Sequence, residues 1–273
     1  MAMTRSRQEQ AELFTSLHHN DSVLALPNAW DVMSARLVEL EGAAAIATTS
    51  AGVAWSLGAA DGDQLDRDRA IDLVARVVAA VSAPVTADIE SGFGATPADV
   101  AETIRGIAEA GAVGVNLEDA HHGGDSPLRP IVDQAERIAA AREADPVLYI
   151  NARVDVYLRG VGEPSSRVAA TVERARAYLD AGASGIFVPG VVDPETISLL
   201  AKEISAPLNV LVGPGAPSIA ELGELGVARA SLGSGLSQAA YAVVQRGARE
   251  MLTSGTYTAT ADALDFGTLN SAL

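Results

Sequence analysis

The chain has 273 residues, 48% of them hydrophobic, with 25 Gly, 12 Pro and no Cys. That composition suits one large globular core and excludes disulfides, cysteine-ligated metal and a cysteine nucleophile. A formal net charge of −16 excludes nucleic acid as a partner, because phosphate binding needs a basic surface. Residues 1–20 are polar and charged without an apolar centre, so no signal peptide is expected, and no run approaches about 20 apolar residues, so no membrane partner is expected either. A soluble, cytoplasmic location is the resulting expectation.

In chain order, residues 5–19 predict a helix ahead of the first strand. Short, continuously apolar runs then recur at 23–26, 44–49, 84–88, 113–117, 147–152, 185–188, 208–212 and 227–231. Such runs are expected of parallel strands covered on both faces. Segments with helical spacing separate them. Thr96-Pro97 and Asp193-Pro194 each join a capping residue to a proline at the first helical position. Gly111 and Gly182, in EAGAVGV and DAGASGI, read as glycines that end a helix and lead into a strand. Residues 235–253 predict the last helix, and 254–273 a weakly structured tail with room for one short helix. Eight strand–helix units without a linker predict a (β/α)8 TIM barrel forming a single domain over 1–273.

In such a barrel the active site lies at the carboxyl ends of the strands. The third run ends in Asp88-Ile89-Glu90, the fourth in Glu118-Asp119 and the fifth in Asn151-Ala152-Arg153. Asp88 and Glu90 are two apart, so strand geometry predicts side chains on one side. Carboxylates converging there repel one another unless a cation is present, and oxygen ligands without His or Cys favour Mg2+ or Mn2+. Arg153 carries the planar fork that pairs with a substrate carboxylate, with Asp155 and Glu118 as alternative, structural partners. Ser50-Ala51-Gly52 reads as a loop able to present backbone N–H groups to an oxyanion. His121 and His122 fall in a Gly-rich loop and read as solvated, although one of them has the chemistry of an acid or base.

The stretches LPNAWD (26–31), TTSAGVAWSLGAADG (48–62), TADIESGFG (86–94), GVNLEDA (114–120) and NARVD (151–155) together resemble the isocitrate lyase/phosphoenolpyruvate mutase superfamily, over about residues 26–237. The resemblance implies a (β/α)8 barrel, Mg2+, and a small 2-oxo or hydroxy acid, or a phosphonate analogue, handled through an enolpyruvate-type intermediate. By position it implies Asp88, Glu90 and Glu118 at the metal, with Asp88 the direct ligand. It also implies Asp61, Glu118 and Arg153 in catalysis, and Trp30, Ser50, Ala51 and Arg153 around the substrate. A homo-oligomer, dimer or tetramer, with an exchanged terminal helix is implied as well.

Two departures from the family pattern bear on the reaction. The metal stretch usually reads Asp-x-Asp, and here it is Asp88-x-Glu90. The Lys-x-Cys-Gly-His-like gating loop of the C–C lyases is replaced after Glu118 by HHGGDSPLRP, without Lys or Cys. Cleavage of isocitrate or 2-methylisocitrate with a cysteine acid is therefore not expected. Cleavage of a smaller 2-oxo or hydroxy (di)carboxylic acid, such as decarboxylation of an oxaloacetate-like substrate, is the favoured expectation. Phosphonomutase or phosphonopyruvate hydrolase chemistry is the second, and a non-catalytic barrel that binds a 2-oxo acid is the third.

Overall fold

A computed structural model describes residues 5–273. Nine parallel segments are hydrogen-bonded in the order β1-β9-β8-β7-β6-β5-β4-β3-β2. The segments β1 (Leu24–Leu26) and β2 (Asn28–Ala29) are two halves of one strand interrupted at Pro27. Proline has no N–H to give to a ladder, and the strand changes neighbour at that residue. β1 pairs with β9 (Arg229–Ser231), whereas β2 pairs with β3 (Ile46–Thr48). The ring thus closes with eight strand positions, the others being β4 (Val85–Asp88), β5 (Gly114–Glu118), β6 (Tyr149–Arg153), β7 (Gly185–Val188) and β8 (Leu208–Leu211).

The strands form where the apolar runs lie, one or two residues inside most of the expected bounds. Their outward residues, among them Val115, Leu117, Ile150, Ala152, Ile186 and Val188, are buried against helices α5 (Pro97–Glu109), α6 (Ile131–Ala144), α7 (Arg167–Asp180) and α8 (Pro194–Glu203). Thr96 and Asp193 cap α5 and α8 with Pro97 and Pro194 in the first turn. Gly111 and Gly182 sit at φ +93° and +106°, a region closed to side chains, just after α5 and α7.

Four further helices line the perimeter. They are α2 (Val32–Leu40), α4 (Arg67–Ala80), α9 (Ile219–Glu224) and the long α10 (Gly235–Ser254). Residues 50–52, expected as a loop, instead open the short helix α3 (Ser50–Ser56). The tail carries a 3-10 turn at Thr258–Thr260 and the short helix α11 (Phe266–Ser271), and Arg36 on α2 donates to the Ala272 carbonyl at 2.7 Å. No helix among the described residues is long and apolar enough to cross a membrane.

Helix α1 (Arg7–Leu17) seals the amino end of the barrel. Its Phe14 and Ala11 are buried with Leu24, Leu26, Ala45, Ala47, Val113 and Tyr149. Gly114 is required there, because a Cβ would stand 2.7 Å from the Phe14 ring. His18, just past α1, is buried and stacked on Tyr149 with centroids 4.0 Å apart, and its Nδ1 donates to the Phe14 carbonyl at 2.8 Å.

Burial pushes the His18 imidazole down to about 3, with Arg229 adding to the effect, so the folded protein holds it neutral. The unfolded chain takes up a proton near pH 6.5 and the folded one does not. Stability from this group is therefore full above about pH 6.5 and lost as pH falls towards 3. In urea titrations at successive pH values, the unfolding free energy of the wild type relative to His18→Gln should fall by up to about 1.4 kcal/mol per pH unit between pH 6 and 4. A flat difference curve would show that His18 titrates as it does in water.

Candidate active site

Carboxyl-terminal strand ends bring the charged residues together. Inward-facing positions alternate along each strand, which aligns Asp88 with Asn116, Asn116 with Asn151, and Glu118 with Arg153 as cross-strand partners. A cavity of about 190 Å3 opens above them. Its lining includes Ser50, Ala51, Asp61, Asp88, Asn116 and Arg153 on the polar side and Leu158, Phe187, Pro189 and Leu211 on the apolar side.

Asp88 ends β4 with its N–H on Thr48 Oγ1 at 3.0 Å. Its Oδ2 accepts from the Ser50 amide at 3.2 Å and the Ser50 hydroxyl at 2.9 Å, while its buried Oδ1 has no hydrogen-bond partner. Burial raises the Asp88 pKa, and the nearby Arg153 charge and the Ser50 hydrogen bonds oppose that rise. The Ser50 amide is thus committed to Asp88, while Ala51, in the first turn of α3, lines the cavity.

Arg153 ends β6. Its Nε and Nη2 reach the two carboxylate oxygens of Asp155 at 2.6 and 2.8 Å, and Nη1 lies 2.5 Å from Glu118 Oε2. Burial works against its charge, but Glu118 and Asp155 outweigh burial and hold its pKa above the ordinary value. Both structural partners weighed from the sequence are therefore made, and Arg153 lines the cavity as well. Asp155 is fixed in turn, its amide donating at 2.9 Å to Asp119 Oδ1. Asp119 Oδ2 accepts from Tyr178 at 2.8 Å and from Arg174 at 3.0 Å, which ties the site to α7.

Glu90 departs from the expected geometry. β4 stops at Asp88, and Glu90 lies at φ +51°, in the left-handed region. The strand alternation that would have put it beside Asp88 is broken there. Its carboxylate turns to the 62–63 turn, where Oε2 accepts from the Gly62 amide at 2.7 Å and from the Asp63 amide. Burial, with Asp61, Asp63 and Asp88 nearby, pushes the Glu90 pKa up to about 8 against the Asp63 amide bond. Phe93 shares the left-handed conformation at φ +52°, which costs a non-glycine residue about 1–2 kcal/mol. The turn is clamped by the wholly buried Arg137, whose guanidinium donates to the carbonyls of Ser91, Gly94 (2.9 Å) and Ala95 (3.1 Å).

Trp30 is likewise absent from the cavity wall; it packs with Val53, Ala54, Leu65 and Phe93 beside α3. His122, read from the sequence as solvated, is instead held with its Nε2 2.8 Å from Glu118 Oε1. That hydrogen bond raises the His122 pKa against the effect of burial. Glu118 is itself raised by burial, with Arg153 and His122 pulling it down. A signal for His122 existed in its place four residues after Glu118. Asn116 also lines the cavity, and its signal was a polar residue at an inward position of an otherwise apolar strand.

Among the described residues no three acidic or His side chains form a ready-made metal cage. Magnesium, however, uses one or two carboxylates and keeps several waters. A buried, unpartnered Asp88 Oδ1, with Asp61 on the same cavity and only oxygen donors in reach, fits that habit.

The chain matches the family model described as phosphoenolpyruvate phosphomutase over residues 14–252. It is 29% identical over 210 residues to 2-methylisocitrate lyase of Halalkalibacterium halodurans, covering 75% of this chain and 68% of that protein. It is 28% identical over 232 residues to oxaloacetate decarboxylase 2 of Pseudomonas fluorescens, covering 82% and 77%. A solved structure from Burkholderia cenocepacia J2315, provisionally named a lyase/mutase, superposes with a TM-score of 0.90 at 41% identity over 97% of this chain and 95% of its own.

Removing the carboxylate of Asp119 leaves the Tyr178 hydroxyl and the Asp155 amide without their acceptor and Arg174 without its counter-charge. Asp119→Ala should cost about 3 kcal/mol of stability in urea unfolding. An unchanged midpoint would mean that the link to α7 contributes nothing.

Proposed function

Because the chain belongs to the isocitrate lyase/phosphoenolpyruvate mutase superfamily, we propose that it is a Mg2+-dependent lyase or decarboxylase that breaks the carbon–carbon bond one carbon beyond the 2-oxo group of a small dicarboxylic acid of the oxaloacetate kind. The observation that carries this reading is the cavity itself, where Asp88, with one buried oxygen free, shares about 190 Å3 with Asp61, Arg153 and the start of α3. That volume is below the roughly 300 Å3 at which pockets for larger ligands begin, so it favours a short acid over a branched tricarboxylate. The lack of any cysteine points the same way, since the gating cysteine expected of the larger-substrate lyases is missing.

Asp88 would hold the cation, with Asp61 and Glu118 reaching it through water. Bound there, Mg2+ supplies Lewis-acid polarisation of the 2-oxo acid. The Ala51 amide would hold developing negative charge. Arg153 keeps two guanidinium N–H groups beyond those given to Asp155 and Glu118, and these bind the acid's second carboxylate. Asp155 prevents the fork from rotating. Leu158, Phe187, Pro189 and Leu211 keep water from the far wall. His122 Nε2 and Glu118 Oε1 share a proton beside Arg153 that would be delivered to the carbon losing the carboxyl group. Glu90 serves in this reading by shaping the 62–63 turn that carries Asp61.

The exposed apolar residues Val244, Met251, Leu252 and Phe266, on α10 and the tail, support a homo-oligomeric state for this enzyme.

Pyruvate release from a panel of 2-oxo and 2-hydroxy diacids with Mg2+ tests the reading. Asp88→Ala, or addition of EDTA, should lower turnover about 1,000-fold, the equivalent of the several kcal/mol that a Lewis acid provides. Full activity in either case sinks the proposal. Turnover of phosphonopyruvate in place of the diacids, followed by phosphorus NMR, would move the reaction to C–P chemistry.

A further inference from the structure

Barrel interiors are usually filled by branched apolar side chains, but beneath this cavity lies a layer of amides and one cation. Arg229 points inward from β9 and is wholly buried. Among the described residues it has no ion-pair partner: Nη2 donates to Asn116 Oδ1 at 3.3 Å, Nε to Ser231 Oγ at 3.3 Å, and Nη1 has no partner at all. Burial pulls its pKa down to about 10, which leaves it charged at neutral pH. A guanidinium offers donors only.

That one-sidedness fixes the amide above it. Asn116 Oδ1 accepts from Arg229 and from Asn151 Nδ2 at 2.9 Å. A flipped Asn116 would set N–H against N–H in a buried layer, so the oxygen stays down. The two N–H groups of Nδ2 therefore lie at the opposite end of the amide, and Asn116 lines the cavity at the level of Asp88. Asn28 lines the same cavity, but one N–H and its oxygen are already engaged: Nδ2 donates to the Thr48 carbonyl at 2.9 Å and Oδ1 accepts from the Gly233 amide at 2.8 Å.

We propose that Asn116 is a substrate-binding residue that donates from Nδ2 to an anionic oxygen of the 2-oxo acid beside Asp88, and that Arg229 is the positioning residue that locks this amide in its donating orientation. The proposal rests on the lyase reading and adds a specificity to it. An oxygen at this place is accepted, whereas the ammonium of a 2-amino acid sets donor against donor and is rejected.

Oxalate is a suitable probe, because its two adjacent carboxylates present the oxygen pair of a 2-oxo acid without turnover. Calorimetric titration of oxalate with Mg2+ into the full chain should show binding about 10- to 100-fold weaker for Asn116→Leu, the loss expected for a hydrogen bond to a charged group. Arg229→Met should weaken it similarly, Arg229→Lys should restore part of the affinity, and the double variant should be no worse than Asn116→Leu alone, because Arg229 acts through Asn116. Should a variant fail to fold, the side-chain amide resonance of Asn116 in the 15N-asparagine-labelled wild type decides, since oxalate should shift it. Wild-type binding with an unmoved resonance, or equal affinity in folded Asn116→Leu, overturns this proposal and leaves the lyase reading standing. No oxalate binding by the wild type counts against both.

Discussion

The guanidinium of Arg153, largely buried, organises the carboxyl end of this barrel. Arg153 cannot sit there without compensating charge, because an unpaired guanidinium in a dry interior is prohibitively unfavourable. Glu118 reaches it from the adjacent strand and Asp155 from its own chain end. Each of those carboxylates then needs partners of its own. Glu118 takes His122, while the backbone of Asp155 binds Asp119, which in turn engages Tyr178 and Arg174 on α7. Such a chain of obligations gives little net stability, but it leaves few alternative arrangements for the side chains it joins. In a protein of net charge −16, it also keeps a positive group on the wall of the cavity.

Much of this is legible in the sequence. Apolar runs of strand length, separated by capped helices, are enough to predict a (β/α)8 barrel, since burial on two faces leaves a parallel strand no other composition. The rule that sites lie at carboxyl strand ends then selects Asp88, Glu118 and Arg153, all three of which end their strands. The spacing argument that sets Glu90 on one side with Asp88 assumes that a strand continues. Here the chain enters a left-handed turn one residue early, and nothing local in Ile89-Glu90-Ser91 announces it; the turn is held by Arg137, distant in sequence. His122 was misread because a Gly-rich loop suggests solvent, whereas the site pulls this imidazole onto Glu118.

The polar floor of the barrel was the least legible part. A lone Asn or Arg in an apolar run resembles an interruption, and only the closed ring shows that Asn116, Asn151, Asn209, Ser231 and Arg229 are bonded to one another. The floor follows the same logic as the rim, with donors and acceptors matched across neighbouring strands. It differs in that its cation has amides and hydroxyls for company instead of carboxylates.

The break at Pro27 also orders events in time. Residues 24–26 are paired with 229–231, so the first strand has an open edge until nearly the whole polypeptide has been synthesised. The strand ends that carry Asp88, Glu118 and Arg153 can assemble side by side during translation. Arg229 can enter the interior only when the seam shuts. The bonded polar floor is therefore complete only in a finished ring, and an incomplete chain on the ribosome has the rim without the Arg229 and Ser231 part of its base.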